Sequence, residues 1–578
     1  MILRTAALFV LSALAAYGAG TVVPSRLLRS SAERWGLRIA AGLALYATVF
    51  FALAAFGRLR RAELAAAAGA GIAAAAWNLR RSVRRSATRG PAPVVVAAAL
   101  AALLAGAFVL ALYPPTAFDE TLYHLPTVGA FAASGRMPFL ASLRAPVFPN
   151  AAEALEVPLW LFGGDAATHL VPLLATAATA LLVFAGAQAA GDGAAWLAAA
   201  IFVSSPIVLH LASSGYVEAP LTLFCFGAFV AIGRGREGGG GRRALAAGLA
   251  GAAASVKYLG LPWVAGAAVA AAALSPRGKR LRAAAMFSTV AAAVLAPWYL
   301  RIFRSTGNPV FPFLPGLFGH SAWDAVGLSH PGGIGRAAGD FLRLPWDTLF
   351  ARGRVNFQPP FSPWFLLASP LLAWFVVRDR RARVSIALCL GWGVFWLAMP
   401  RDSRYLAVVL PILSVEIGRA AADAAHALGR RLPASFAALA VLPGIAYAAW
   451  RIVRQGPVPL RAAERERYLA EKVPGYRAVA FLNRTAPRET VFVCGGEQLR
   501  WYYAGTMIGD VSGIARYDEI LALPDGAAIA RRLDALGVRY VVRVRRACRA
   551  SGMDRRDFPF RPVYEDGSAV VEERSAPR

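Results

Sequence analysis

Charged side chains are scarce in this 578-residue sequence, at 16% of residues, whereas an ordinary soluble chain carries roughly a quarter. Acidic residues are the rarer kind, with 33 Asp and Glu against 62 Lys and Arg. The net charge of +29 would suit a nucleic-acid-binding protein, but the arginines lie in short clusters between long apolar runs, as the positive-inside rule requires. The composition therefore predicts a multi-pass membrane protein and argues against nucleic acid as a partner.

Cysteine and histidine are also rare, with four and six residues, and no Cys-x-x-Cys pair or His-rich array suggests structural zinc. Cys225 and Cys389 lie in apolar runs and are expected in the core. Cys494 and Cys548 lie in the polar tail and could form a disulfide if that tail is extracytoplasmic. The stretch GREGGGGRR lacks the Lys-Ser/Thr ending of a phosphate-binding loop, so we expect a flexible cytoplasmic loop.

Long apolar runs dominate the first 454 residues, and no internal repeat is apparent. We expect about thirteen transmembrane helices, several of them short for the ~20 residues that a crossing needs; they cover 2–23, 37–57, 91–113, 167–190, 194–211, 215–233, 244–257, 258–274, 283–303, 361–377, 384–399, 405–422 and 433–452. The first run is read as a retained helix rather than a signal peptide. Residues 62–77 could either cross the membrane or lie along its surface. The N-terminus is outside in the first case and inside in the second, which we favour. Residues 148–163 are predicted to be re-entrant or interfacial.

The basic clusters predict the orientation of the chain. Placing them in the cytoplasm puts the segments around Asp119, Glu218, Lys257 and Arg404 on the opposite side. Lys257 then lies at the outer tip of a short helical hairpin. Two large outer loops are expected at 114–166 and 304–360.

From residue 455 the composition changes to that of a water-soluble domain. RAAERERYLAEKVPGYRAVAFLNRT and AAIARRLDALG have helical patterns, and ETVFVCGG and VRYVVRVRR are β-rich runs bounded by Gly or Pro. This alternation predicts a small α/β domain over 455–578, which the number of crossings places outside the cytoplasm.

An acidic pair follows one of the apolar runs in the sequence FDETLYHLP. We expect an amphipathic helix from Asp119 to Ser134, ended by Gly135, because a glycine commonly ends a helix. In a helix Asp119 and Tyr123 share one face, and Glu120 and His124 share the next. Asp119 and Glu120 could also be there only to stabilise the helix N-terminus.

Other ionisable groups are predicted to reach the same side of the membrane: Glu153 and Glu156 in PNAAEALEVPLW, Glu218 in SSGYVEAPLTLF, Lys257 in AASVKYLGLPW, and residues 401–405 in MPRDSRYLAVVLP. Charges at or inside a bilayer are costly and usually mark a functional site or a mutual pair. Alternatively, the cations only reach out to lipid headgroups. A carboxylate could activate an acceptor group, and Lys or Arg could hold the phosphate of a lipid-linked sugar.

These residues resemble the GT-C superfamily of membrane glycosyltransferases, in the branch of aminoarabinose transferases and protein O-mannosyltransferases. The likeness covers roughly 90–420 and rests on the order and common side of FDETLYH, YVEAPLTLF, SVKYLGL, APWYLRIFRSTGNPVFPF and SRYLAVVLP. It implies a polyprenyl-phosphate sugar donor. It also implies that Asp119 is the catalytic base supported by Glu120, and that Lys257 and Arg404 contact the carrier phosphate.

The resemblance assigns further roles less directly. Glu218 occupies the position of a second acid that is usually Asp, and we include it among the catalytic residues. The neighbouring side chains are expected to contact substrate, namely Tyr123, Tyr258, Tyr405 and Arg401. Some relatives hold a divalent cation, for which His124, Glu153 and Glu218 are the candidates here, although two carboxylates and one histidine form a weak signature. His124 could equally serve in helix packing.

The sequence thus predicts a glycosyltransferase of a bacterial inner membrane. It would transfer a sugar from a polyprenyl-phosphate carrier to an extracytoplasmic lipid, glycan or protein, with inversion at the anomeric carbon. The main alternative is a transporter or flippase of lipid-linked sugars; transporters usually show repeated halves, which are not apparent here. A membrane sensor with the α/β tail as its ligand module is a third possibility, but it leaves Asp119 and Glu120 unexplained.

Overall fold

The computed structural model describes residues 1–82, 94–233, 235–324, 334–430, 434–551 and 560–574. These residues form many helices and one five-stranded sheet. By their contacts they divide into two compact units. The first unit comprises Met1–Tyr113, Pro149–Tyr299 and Leu328–Val458, and the second comprises Pro114–Phe148, Leu300–Gly327 and Pro459–Arg578. The second unit therefore includes parts of both predicted outer loops as well as the C-terminal tail.

The helices of the first half of the chain are, in order, α1 (Ile2–Ala19), α2 (Ser31–Ala55), α3 (Arg61–Ser82), α4 (Val94–Ala111), α5 (Leu125–Ser134), α6 (Ala151–Gly163), α7 (Leu170–Ala187), α8 (Asp192–Val203), α9 (Pro206–Ala212), α10 (Glu218–Gly233), α11 (Gly235–Val256), α12 (Gly260–Ala273) and α13 (Arg280–Thr306). Those that follow are α14 (Pro315–Phe318), α15 (Ile334–Phe350), α16 (Trp364–Leu367), α17 (Ser369–Arg378), α18 (Arg380–Leu397), α19 (Leu410–Ala427), α20 (Ala434–Ala440), α21 (Leu442–Gln455), α22 (Ala462–Lys472), α23 (Tyr476–Thr485), α24 (Tyr517–Leu521), α25 (Gly526–Ala535) and α26 (Arg545–Ser551).

Helices capable of crossing a membrane are numerous in the described part of the chain. Seven are long and apolar enough to do so, and an eighth span results if α8 and α9 are counted together. The chain is therefore a multi-pass membrane protein, although thirteen crossings are not confirmed. The span predicted at 194–211 is not one straight helix, because α8 and α9 meet at an angle of 68°. Pro206, which cannot continue the hydrogen-bonding pattern of α8, begins α9.

Helices α1, α2 and α3 of the first unit pack with their backbones in close contact. A side chain at Gly18 would collide with the carbonyl oxygen of Gly71, and one at Gly42 with that of Ala16. Small residues permit such close approach in membrane helices, where packing rather than the hydrophobic effect holds helices together. The Ala- and Gly-rich composition of this region thus serves helix packing.

The hairpin predicted around Lys257 is confirmed, since α11 ends at Val256 and α12 begins at Gly260. The flexible loop predicted at GREGGGGRR is wrong. These residues are helical apart from a break at Gly239, whose φ of 62° lies in the left-handed region that glycine adopts easily.

A mixed sheet forms the centre of the C-terminal part of the second unit. Its strands are β1 (Thr490–Cys494), β2 (Thr506–Ile508), β3 (Val538–Val544), β4 (Phe560–Glu565) and β5 (Ala569–Arg574). They lie in the order β2-β1-β3-β5-β4, with β1 parallel to β2 and β3, and β5 antiparallel to β3 and β4. The two predicted strands are β1 and β3, and the predicted helices are α22, α23 and α25.

One hydrophobic core of this unit packs between the sheet and α25. Phe492 of β1 and Val541 of β3 are fully buried in it with Ile529 and Leu533 of α25. Cys494 at the end of β1 forms a disulfide with Cys548 of α26. The pairing considered from the sequence is therefore present, and it joins two elements separated by 54 positions.

Candidate active site

Three predicted site residues of the first unit form a buried ionic cluster. Glu218 is the first residue of α10, Lys257 lies between α11 and α12, and Arg404 lies just before α19. The carboxylate Oε1 of Glu218 is 2.8 Å from Nζ of Lys257 and 3.7 Å from Nε of Arg404. The Glu218 side chain is completely buried. The structure thus brings Glu218 together with two cations that follow it by 39 and 186 positions in the sequence.

Asp402 is the second acid of this cluster; the sequence placed it, with the other residues of 401–405, on the predicted outer side but assigned it no catalytic or binding role. Its Oδ2 is 2.9 Å from Nε of Arg404, and its Oδ1 accepts a hydrogen bond from the Arg404 backbone N–H at 3.0 Å. The side-chain amides of Asn356 and Gln358 donate to Oδ2 at 2.8 and 3.2 Å. Asn356 and Gln358 belong to the predicted loop 304–360 and carry no sequence motif. The alternation of basic and acidic residues in RDSR was the one available sign of Asp402.

Aromatic rings border the two cations of the cluster. The Lys257 ammonium group lies 4.6 Å from the ring centre of Tyr405. The Arg404 guanidinium lies 4.5 Å from the ring of Tyr216 and 5.2 Å from that of Tyr405. Such contacts stabilise a cation through the negative face of the ring. Tyr405 therefore lies beside both predicted phosphate contacts, as its place in the predicted site requires.

The remaining predicted residues of the first unit have other neighbours. Tyr258 packs edge-on against Tyr299, with ring centres 5.8 Å apart. Arg401 forms an ion pair with Asp340 of α15 at 2.5 Å. Glu153 lies on α6 and is buried. The roles that the sequence assigned to these three side chains stay predictions.

The acidic pair belongs to the second unit. Asp119 is partly exposed and Glu120 is buried, and a widened helical turn of the π type runs from Glu120 to His124. The phenol of Tyr123 donates a hydrogen bond to Oδ2 of Asp119 at 3.2 Å, and Glu120 accepts one from the backbone N–H of Ala117 at 3.1 Å. The predicted proximity of Asp119 and Tyr123 is confirmed.

The widened turn was not predicted, although proline supplies a physical reason for it. Pro126 has no N–H, and in a regular helix its ring would clash with the carbonyl group of Leu122. The backbone N–H of Leu125 instead bonds to the carbonyl oxygen of Glu120, five residues back. The helix then continues as α5 and ends at Gly135, whose φ is 68°, as the sequence indicated. Widened turns of this kind often occur at functional sites.

Side chains of the α/β part of this unit hold the segment around the acidic pair. Arg144 donates to Oδ1 of Asp510 at 2.8 Å, and its guanidinium lies 5.7 Å from the ring centre of Phe118. The hydroxyl of Tyr502 donates to the carbonyl oxygen of Pro115. Burial lowers the pKa of Arg144, but the charges of Asp510, Glu497 and Asp119 more than offset this, so that its pKa is raised. Arg144 therefore remains protonated.

The predicted metal ligands belong to both units, since His124 is in the second and Glu153 and Glu218 are in the first. Among the described residues there is no group of three or more His, Cys, Asp or Glu side chains that could hold a metal ion. The His124 ring packs on Tyr123, with ring centres 4.3 Å apart, which suits the packing role considered from the sequence. A divalent cation stays a prediction.

Comparison with known proteins identifies structural relatives for most of the chain. A family model designated SF2091 matches residues 464–572. No curated protein sequence matches the chain significantly. ArnT from Cupriavidus metallidurans bound to undecaprenyl phosphate superposes with a TM-score of 0.52 at 17% identity, covering 83% of this chain and 97% of ArnT. Its apo state gives a TM-score of 0.51 at the same identity and coverage.

A third similar structure is the oligosaccharyltransferase of Archaeoglobus fulgidus, with a TM-score of 0.47 and 11% identity over 77% of this chain and 67% of that one. ArnT is a GT-C protein, and its likeness extends over nearly its whole length. The resemblance predicted from the acidic pair and the lone cations is therefore confirmed at the level of the fold. The chain is a multi-pass membrane protein with the GT-C fold.

Proposed function

We propose that this protein is a membrane glycosyltransferase that transfers a sugar from a polyprenyl-phosphate carrier to an extracytoplasmic acceptor. The observation that carries the proposal is the fold shared with ArnT, whose structure was determined with undecaprenyl phosphate bound. The acceptor is a lipid, a glycan or a protein, and the membrane is the bacterial inner membrane. The side-chain chemistry of both units supports each part of this reaction.

Lys257 and Arg404 are the groups that contact the carrier phosphate. An ammonium and a guanidinium at the ends of membrane helices suit a lipid phosphate, whose chain stays in the bilayer while its phosphate lies at headgroup level. Both cations are paired with Glu218 or Asp402 in this structure, so a bound phosphate would compete with these carboxylates. Glu218 and Asp402 then keep the cations in position while the site is empty.

Asp119 is the general base. Its carboxylate takes the proton of the acceptor hydroxyl or amine as the acceptor oxygen or nitrogen forms a bond to the anomeric carbon. The bond from that carbon to the phosphate oxygen breaks, and the polyprenyl phosphate leaves with the bonding electrons. Lys257 and Arg404 stabilise the negative charge that develops on the leaving phosphate. A single displacement of this kind inverts the anomeric carbon.

The orientation of the second unit follows from its cysteines and from the basic clusters. A disulfide persists in oxidising compartments and is rare in the cytoplasm, so the bond between Cys494 and Cys548 supports an extracytoplasmic location. The arginine clusters between the apolar runs support the same orientation. Asp119 belongs to the same unit as the disulfide and would therefore act outside the cytoplasm.

The test is a transfer assay with purified protein in detergent and radiolabelled polyprenyl-phosphate sugars. We expect Asp119→Asn to lose transfer by about 100-fold or more while keeping carrier binding, because an amide cannot accept the proton. Lys257→Ala should weaken carrier binding. Asp192→Asn removes an exposed carboxylate at the start of α8 and serves as the matched control.

Full transfer by Asp119→Asn would remove this residue from the mechanism. Movement of the lipid-linked sugar across vesicle membranes, without transfer and without sensitivity to Asp119→Asn, would establish the flippase alternative instead.

A further inference from the structure

Arg451, near the end of α21, is a half-buried cation in the first unit that neither the sequence motifs nor the proposed reaction uses. Its Nη1 lies 3.0 Å from Nδ1 of His210 and 3.4 Å from Oγ of Ser213. A guanidinium can only donate, so Nδ1 of His210 accepts in this contact. Its guanidinium also lies 6.0 Å from the ring centre of Tyr447. In the described part of the chain, no carboxylate lies within ion-pair distance of Arg451.

A short series of contacts connects Arg451 to the ionic cluster. The ring centre of His210 lies 5.7 Å from that of Tyr216. The same Tyr216 ring lies 4.5 Å from the guanidinium of Arg404. Arg451, His210, Tyr216 and Arg404 all belong to the first unit. Arg451 is therefore an additional cation that the side chains of His210 and Tyr216 connect to Arg404.

The balance of charge distinguishes Arg451 from the cations already described. Lys257 and Arg404 contribute two positive charges to the cluster, and Glu218 and Asp402 contribute two negative ones, so these four residues sum to zero. Arg451 adds one positive charge that forms no ion pair with a carboxylate among the described residues. A cation among membrane helices is costly unless an anion or water solvates it. The excess charge makes this position suitable for an anionic ligand.

Its hydrogen-bonding groups also suit a phosphate. Arg451 is hydrogen-bonded to His210 and Ser213 through Nη1 and also to Tyr447, while a guanidinium carries five N–H donors in a planar fork. Two parallel donors of this fork match two oxygens of a phosphate group. The hydroxyl of Ser213, which is buried beside Arg451, donates to the carbonyl oxygen of Leu209 and accepts from Arg451, so it helps to hold the guanidinium in place.

We propose that Arg451, held in place by Ser213, binds the phosphate of the polyprenyl carrier as a cation additional to Lys257 and Arg404. This inference rests on the proposed function and adds one cation to it. Lys257 and Arg404 must first separate from Glu218 and Asp402 to bind a phosphate, whereas Arg451 does not have to leave a carboxylate among the described residues. The ligand is a phosphate ester on a lipid. An anionic phospholipid headgroup has the same chemistry, and the experiment separates the two sources.

The experiment measures binding of radiolabelled undecaprenyl phosphate to the full-length protein in nanodiscs made of a zwitterionic lipid. We expect Arg451→Gln to weaken binding by about 10-fold or more, since a charge-assisted pair is lost. Arg451→Lys keeps the charge but loses the fork, so its affinity should fall between those of the wild type and Arg451→Gln. Arg454→Gln is the matched control, because Arg454 is an exposed arginine on the same helix that packs on Trp450, and its binding should be unchanged.

Two further ligands identify the chemistry that is recognised. Undecaprenol, which lacks the phosphate, should bind equally weakly to the wild type and to Arg451→Gln. Phosphatidylglycerol should not displace undecaprenyl phosphate from the wild type. Displacement by phosphatidylglycerol, with a loss of that competition in Arg451→Gln, would assign Arg451 to a lipid headgroup and overturn the proposal.

Equal binding of undecaprenyl phosphate by the wild type and folded Arg451→Gln would also overturn it, while leaving the proposed transfer reaction intact. If Arg451→Gln does not fold, the comparison with Arg451→Lys decides, and equal affinities count against the proposal. A wild type that binds no undecaprenyl phosphate would instead refute the carrier on which the proposed function depends.

Discussion

The acids of the two units are held in different ways. Glu218 of the first unit is completely buried among membrane helices and has Lys257 at 2.8 Å and Arg404 at 3.7 Å. Asp119 of the second unit is partly exposed and accepts a hydrogen bond from the neutral phenol of Tyr123. A fully buried carboxylate needs cations close to it to remain charged, whereas water can help to stabilise a partly exposed one. The comparison favours Asp119 for proton transfer and Glu218 for holding the cations.

The largest expected difference between the two acids is in stability. Glu218→Ala leaves Lys257 and Arg404 without their shared partner and should lower the free energy of unfolding by about 3–5 kcal/mol, as is usual when one member of a buried pair is removed. Asp119→Asn should change it by less than about 1 kcal/mol. Thermal unfolding of both variants in detergent measures the contrast. Equal losses of stability would mean that the two acids are held in the same way.

Removal of the disulfide should affect only the second unit. Cys494→Ser with Cys548→Ser deletes a bond between two buried residues, which should destabilise that unit by about 2–4 kcal/mol. Hydrogen exchange followed by mass spectrometry should show increased exchange in β1 and α26 and unchanged exchange in α7 and α10. Increased exchange throughout the helices of the first unit would contradict this independence.

The ion pair that anchors the Asp119 segment should make a smaller contribution. Arg144→Gln leaves the carboxylate of Asp510 with fewer donors and should cost about 1–3 kcal/mol, because both side chains are largely buried. We expect faster hydrogen exchange over residues 114–124 and a lower kcat with little change in carrier affinity. Arg539→Gln removes an exposed ion pair on β3 and is the control. A change in carrier affinity without a change in exchange would argue against an anchoring role.

The hydrogen bond of Tyr123 to Asp119 should have the smallest effect. Tyr123→Phe removes the phenol that donates to Oδ2 of Asp119, so the carboxylate should be less well oriented and kcat should fall by less than about 10-fold. Tyr564→Phe is the matched control, because it removes a phenol that donates to the carboxylate of Asp566 in the same unit. An unchanged kcat in Tyr123→Phe would show that the Tyr123 hydroxyl has no influence on the base.

Much of the fold could be predicted because it depends on local sequence patterns. Apolar runs identify the membrane part of the chain, and the alternation of helix and strand identifies the α/β part after residue 455. The break between α8 and α9 was missed because the apolar run continues across it. Strands β2, β4 and β5 were missed because strand formation depends on pairing with neighbours that can be distant in sequence.

The candidate site was predicted in part for a similar reason. Glu218, Lys257 and Arg404 are recognisable one by one, because an isolated charge within an apolar run is conspicuous. His210 and Arg451 are not, since their sequence surroundings resemble those of ordinary helix ends. Their importance depends on which charges they approach in space.

The sequence by itself therefore determined that the chain enters a membrane, where its water-soluble part begins, and which acids and cations stand out from their surroundings. Those properties follow from the cost of placing polar groups in hydrocarbon, which each segment carries independently of the others. Only the tertiary structure decided that Glu218, Lys257, Asp402 and Arg404 neutralise one another and that His210 and Tyr216 connect Arg451 to Arg404. Electrostatic pairing acts over a few ångströms, and segments separated by up to about two hundred positions reach that distance only in the folded chain.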